Sequence, residues 1–201
     1  VSALRLLGNS LVMALGIALG KIAISLLAAY AIVFFRFPCR TLCFWLIFVT
    51  LMLPVEVRIV PTYGVVARFG LIDTYAGMIL PLIASATATF LLRQCFLSLP
   101  SELFEAARLD GAGPLRFLKD FVLPLSRTNL AALFVIMFIY GWNQYLWPLL
   151  AANSPDHATA VISLKNLVQS TDTLPPWQLA TAMTLLTVLP PVVVIVAMQR
   201  F

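Results

Sequence analysis

The run Ser10-Leu-Val-Met-Ala-Leu-Gly-Ile-Ala-Leu-Gly-Lys-Ile-Ala-Ile-Ser-Leu-Leu-Ala-Ala-Tyr-Ala-Ile-Val-Phe-Phe35 holds one charged residue, Lys21, in an otherwise apolar stretch. About 20 apolar residues in a helix cross a hydrocarbon core near 30 Å thick, and an unclosed strand there leaves its backbone groups unpaired. The run therefore reads as a transmembrane helix. Four more runs of the same character follow it: Leu42 to Val66, Tyr75 to Leu92, Asn129 to Leu150 and Leu179 to Met198. The second carries Pro54, Glu56, Arg58 and Pro61, so its outer half is expected to kink or unwind; the third contains Pro81, the fifth Pro190 and Pro191. Composition agrees, with 62% of 201 residues hydrophobic and 10% charged, against roughly 45–50% and 25% in soluble proteins. At a mean hydropathy of +1.00 the apolar surface exceeds what one core can turn inward. The expected fold is all-α: a polytopic transmembrane bundle with five visible spans, forming a single membrane domain over residues 1–201.

Charge sets the orientation. The net charge of +5 is spread thinly between apolar runs, with no basic stripe of the kind nucleic acid requires. Arg36, Arg40, Arg93, Arg108, Arg116, Lys119, Arg127 and Arg200 fall on one side of the five-span arrangement, and only Arg5, Arg68 and Lys165 on the other. The side with eight is cytoplasmic by the positive-inside rule. Ala151 to Trp177, with Asp156, His157, Asp172, Pro175 and Pro176, is then an external loop. Cys39, Cys43 and Cys95 form no disulfide framework, and the single histidine, His157, gives no metal cluster and no base for a nucleophile.

The most polar cytoplasmic stretch runs from Pro100 to Pro124. It reads as two short helices. Ser101 is expected to cap the first, with Glu102 in its first turn; Asp110-Gly111-Ala112-Gly113 makes the turn; Pro114 opens the second helix and Pro124 ends it. Leu115, Leu118 and Val122, flanked by Phe117 and Phe121, form an apolar stripe, while Arg116, Lys119 and Asp120 lie elsewhere on the wheel.

Glu105-Ala106-Ala107, then Gly111, then Leu123-Pro124 at this spacing resembles the EAA loop of the permease subunits of bacterial ATP-binding-cassette importers. Tyr140-Gly-Trp-Asn-Gln-Tyr-Leu-Trp-Pro148 is similar to a segment of their sugar and polyol branch. Phe121 stands where the family usually has isoleucine. The resemblance implies that Glu105, Ala106, Ala107, Asp110, Gly111, Leu123 and Pro124 couple to an ATPase. It implies a second permease subunit, an ATPase dimer, an external binding protein, and a multi-pass location in the bacterial inner membrane. No cofactor is expected on this chain, since ATP and magnesium belong to the partner ATPase. Within the branch the resemblance favours permeases for a phosphorylated glycerol, either glycerol-3-phosphate or a glycerophosphodiester, with a neutral sugar, oligosaccharide or polyol as the alternative. Family members usually have six spans, so a chain trimmed at both ends is expected.

Polar groups at membrane depth, namely Lys21, Glu56, Arg58, Ser85, Thr87, Asn143 and Gln144, mark a candidate pathway, because charges there are costly. At about 1.5 Å per residue, Lys21 lies roughly 16 Å and Arg58 roughly 12 Å from the outer ends of their spans. Ser85 and Thr87 fall about 15–18 Å down the third span, Asn143 and Gln144 about 10 Å down the fourth. Such a band can receive a polyol, and the two cations can balance a phosphate. Alternatively Lys21 snorkels, or Arg58 pairs with Glu56; residues two apart on a helix face away from each other, so the latter needs unwound chain. Trp142, Tyr145 and Trp147 read as an interfacial belt and packing layer. Gly16-Ile-Ala-Leu-Gly-Lys-Ile22 falls one residue short of a phosphate loop and has Ile22 in place of the hydroxyl. An enzyme is not expected.

Overall fold

The computed structural model describes residues 2–50, 55–168 and 177–200, with side chains from Val57 onward in the second stretch. Met52 to Pro54, the Glu56 side chain, Asp172, Pro175 and Pro176 lie outside what is described. Among the described residues the chain is helical, without strands.

The first span is α1, Ala3–Phe34, which begins earlier than Ser10, directly after an extended Ser2. Its neighbours are α5, Ala86–Leu97, and α9, Arg127–Trp142, which pack along its length and make it the centre of the bundle. Small residues permit the close approach. A Cβ on Gly141 would lie 3.0 Å from the Ala14 Cα, and Gly16 and Gly20 sit against Ile79 and Ile83. The glycines of the failed phosphate-loop pattern are thus packing positions. The last span is α12, Trp177–Met198, against α9.

The remaining spans are broken, more than the sequence reading held. The second is described as α2, Arg40–Val49, and α3, Val55–Arg68, on either side of residues 51–54. The third begins as α4, Tyr75–Ile79, tightens to a 3-10 turn over Leu80–Leu82, and resumes as α5 at an angle of 51°. Pro81 is the cause: it lacks the N–H that would bond the Gly77 carbonyl one turn back. That carbonyl accepts the Trp147 indole N–H instead, at 3.2 Å. The fourth span stops at Trp142 and resumes as α10, Leu146–Ala151. Among the described residues two helices are long and apolar enough to cross a membrane, and up to four are if each bent pair counts as one span.

The helical hairpin between the third and fourth spans comprises α6, Ser101–Leu109, and α7, Pro114–Phe117, which runs through a π-helical turn at Leu118–Val122 into α8, Leu123–Leu125. Three details correct the sequence reading. Pro100, with φ −59° and no cap bond, precedes the first helix, so Ser101 is its first residue and not its cap. Pro124 does not end the second helix, because the wider π turn before it absorbs the lost N–H; the break falls at Ser126, ahead of a 78° bend into α9. Leu115 leaves the apolar stripe and is 78% exposed, whereas Phe117, Leu118 and Val122 are buried.

Candidate functional site

Lys21 is the one charged residue beyond the first turn of α1, and it is 95% buried, with 5% exposure. Its Nζ stands 3.4 Å from the ring centroid of Tyr140 on α9. The ring quadrupole attracts the ammonium, by roughly 2 kcal/mol where water is excluded. No carboxylate among the described residues pairs with Lys21 or Arg58. Both line a cavity of about 410 Å³, together with Thr50, Ser85, Thr87, Thr89 and Tyr140. Four of the expected pathway residues, Lys21, Arg58, Ser85 and Thr87, therefore come together.

Others do not. Asn143 and Gln144 sit past the end of α9, away from this cavity; Asn143 is exposed and the Gln144 side-chain amide donates to the Tyr140 carbonyl at 3.3 Å. Trp142 and Trp147 are buried and donate their indole N–H groups to the carbonyls of Thr187 and Gly77, which makes them packing residues and not a belt. Lys165 lies over the Tyr145 ring, 3.8 Å from its centroid. Sequence reasoning missed Tyr140, Thr50 and Thr89. A usable signal was present for Tyr140: counted from Leu150 at about 1.5 Å per residue, it lies about 15 Å down, level with Lys21.

At the opposite end of α1 the hairpin is clamped by aromatics. The Tyr30 hydroxyl donates to the Pro114 carbonyl at 2.7 Å, and the Phe34 ring meets Phe104 and Phe117 at 5.6 and 5.3 Å between centroids. A second cavity, about 730 Å³, lies behind, lined by Tyr30, Phe34, Arg36, Glu105 and Arg108 among others. Of the expected coupling residues, Glu105, Ala106, Asp110, Gly111 and Pro124 are exposed, Leu123 is half-buried, and Ala107 is buried against the bundle. Gly111 takes φ +73°, the left-handed turn that a side chain disfavours. Leu109 and Leu115 flank it, 89% and 78% exposed.

The other end of the bundle is tied by polar contacts. Asp73, also left-handed at φ +61°, accepts from the Asn153 and Ser154 backbone N–H groups and the Ser154 hydroxyl with one carboxylate oxygen, at 3.0–3.1 Å. The His157 Nδ1 is 3.3 Å from the same oxygen. The Ser154 backbone N–H, then its hydroxyl, and then His157 hold the Asp73 carboxyl below its ordinary value. The Asn9 amide donates to the carbonyls of Asp156 and Ala158, and Arg5 pairs with Asp156 at 2.8 Å.

Residues 21–201 match the family described as the binding-protein-dependent transport system inner membrane component. The sn-glycerol-3-phosphate transport system permease protein of Agrobacterium fabrum (strain C58) is 63% identical over 201 residues, all of this chain and 71% of that protein. Its counterpart in Rhizobium meliloti (strain 1021) is 61% identical over the same shares. That of Pectobacterium atrosepticum is 62% identical over 193 residues, 96% of this chain and 69% of the relative. Among solved structures, a bacterial ABC transporter involved in the import of the acidic polysaccharide alginate superposes with a TM-score of 0.87 at 20% identity, over 98% of this chain and 74% of that one. That superposition bears on the fold alone.

Proposed function

The chain belongs to the binding-protein-dependent transport system inner membrane components, and from that premise we propose that it forms half of a translocation pathway for sn-glycerol-3-phosphate or a related phosphorylated glycerol. It is a multi-pass permease of the bacterial inner membrane and a transport subunit, not an enzyme. The full assembly in this reading adds a second permease subunit, a pair of ATPase subunits holding ATP and magnesium, and an external binding protein, with residues 1–201 as one permease domain.

The observation that carries the substrate reading is the 410 Å³ cavity with two cations and no pairing carboxylate among the described residues. A positive pair at membrane depth that no described carboxylate balances is expensive unless an anion visits it. A neutral sugar does not repay that cost. Coupling follows from α1: the hairpin grips Tyr30 and Phe34, and Lys21 lies nine residues earlier on the same helix, about 13 Å away. Closure of an ATPase around Glu105, Gly111 and the exposed leucines would move the cavity wall as a rigid body.

The test is uptake of labelled glycerol-3-phosphate by proteoliposomes holding the full complex, with Lys21→Met and Arg58→Met. Methionine keeps much of the stem and removes the charge. Losing a charge-assisted contact costs about 1.5–3 kcal/mol, so uptake falls roughly ten- to a hundredfold where that step limits the rate. Wild-type rates in both assembled variants would return the substrate to the neutral sugars and polyols.

A further inference from the structure

The break in the third span opens a helix end inside the bundle. Ser85, with extended backbone at φ −145° and ψ 108°, caps α5, its hydroxyl accepting from the Ala88 N–H at 3.2 Å. The Thr89 N–H bonds the Ser85 carbonyl. Two donors of the first turn remain: the N–H groups of Ala86 and Thr87 have no acceptor among the described residues. Ala86 and Thr87 both line the cavity that holds Lys21. In hydrocarbon an unpaired N–H costs several kcal/mol, so a helix start there is tolerated only where it faces a cavity or a ligand.

Lys21 is the independent observation. It is 95% buried and, among the described residues, meets the Tyr140 ring, which offers it no hydrogen-bond acceptor in its plane of contact. It also sits one turn before Ser25, whose hydroxyl donates to the Ser85 carbonyl at 3.2 Å, so the α1 face carrying Lys21 abuts the break itself. The helix start contributes roughly half a positive charge and two aligned donors; the lysine adds a mobile ammonium. Broken membrane helices whose half-helix N-termini meet anionic substrate groups obey the same electrostatics.

We propose that the phosphate group of the transported molecule is seated at the N-terminus of α5, on the N–H groups of Ala86 and Thr87, with the Lys21 ammonium turned from the Tyr140 ring onto the phosphate oxygens. This rests on the reading of the substrate as a phosphorylated glycerol. Tyr140 is then a positioning residue: it holds the lysine in place while the seat is empty.

Ala86→Pro tests the seat, because proline at the first helical position deletes one N–H while its fixed φ suits the helix start, and the extended Ser85 suits a following proline. Ala86→Val adds bulk but keeps the donor, so the proline-to-valine difference isolates the N–H. In proteoliposomes carrying the whole importer, glycerol-3-phosphate uptake per ATP hydrolysed is measured for both. The expected result is a ratio at least about tenfold lower for proline than for valine. Equal ratios overturn the seat, including the case in which a lipid phosphate fills it. Should the proline variant fail to assemble, Ser85→Asp carries the test: aspartate caps as well as serine but puts a negative charge in the seat. Its uptake is then expected to fall at least about tenfold, and wild-type uptake overturns the proposal. A wild-type complex that imports a neutral sugar but no glycerol-3-phosphate overturns the substrate reading and the seat with it; import of glycerol-3-phosphate with insensitive variants overturns the seat alone.

Discussion

A Cβ added to Gly77 would run into the Leu71 carbonyl oxygen, and backbone cannot swing away as a side chain does. The same residue's carbonyl takes the Trp147 indole, so Gly77 is pinned from two directions. Gly77→Ala is expected to destabilise the protein by about 1–3 kcal/mol, the usual cost of overpacking. Gly64→Ala, in the interior of α3 with open space around its Cβ, should be neutral or gain up to about 1 kcal/mol. The apparent melting temperatures of the two variants in detergent check the contrast; equal values would mean that the turn at Leu71 yields freely. Asp73 makes a pH-dependent prediction. Its carboxyl is held below the ordinary value of 3.8 in the folded state, so its contribution to stability is full above that pH and is lost as the pH falls through the depressed value. The stability difference between wild type and Asp73→Asn should therefore shrink as the pH falls below about 4. A difference that fails to shrink there would contradict the role given to Ser154.

In the helical hairpin, two apolar residues stand out of place: Leu109 and Leu115, 89% and 78% exposed on either side of the Gly111 turn. Each would recover roughly 1.5–3 kcal/mol on burial in a partner. The double variant Leu109→Ser, Leu115→Ser should weaken ATPase association at least about tenfold while the bundle stays intact, since neither side chain packs into it. Gly111→Asp should do the same through the strain of a side chain at φ +73°. Co-purification of the ATPase and its stimulation by loaded binding protein measure both effects, and wild-type stimulation would remove the hairpin from coupling. The hairpin was largely readable from sequence, because Gly111, Pro114 and the Glu105 spacing are local signals. Leu115 was misplaced because a π turn shifts the register after Phe117, and nothing in the sequence announces it. The breaks at Ile83 to Ser85 and Asn143 to Tyr145 escaped for a related reason. Pro81 was visible, but whether a proline kinks a helix or ends it depends on who takes the freed carbonyl, and Trp147 is 70 residues away from Gly77.

Across the whole bundle, the basic residues sort by end as the sequence implied. Arg36 and Arg108 line the cavity behind the hairpin beside the end of α1, and Met198, near the end of α12, lines a cavity with Arg127. Arg5 is tied to Asp156 at the start of α1, and Lys165 belongs to α11, Ala160–Val168, whose first N–H bonds the Ser10 hydroxyl at that same end. Coupling requires that the hairpin end face the ATPase, hence the cytoplasm, and the positive-inside bias of eight to three agrees. Cysteine labelling tests the orientation once Cys39, Cys43 and Cys95 are replaced, since two of them are already exposed. Asp156→Cys and Arg116→Cys form a matched pair, because the side chains they replace are 62% and 71% exposed, at opposite ends of the bundle. Accessibility within the protein therefore does not separate them; only the membrane does. An impermeant maleimide should label Asp156→Cys in intact cells and label Arg116→Cys only after the inner membrane is opened. Labelling of Arg116→Cys from outside would invert the bundle, put the hairpin out of reach of any ATPase, and undo the proposed coupling path from Gly111 through Tyr30 to Lys21.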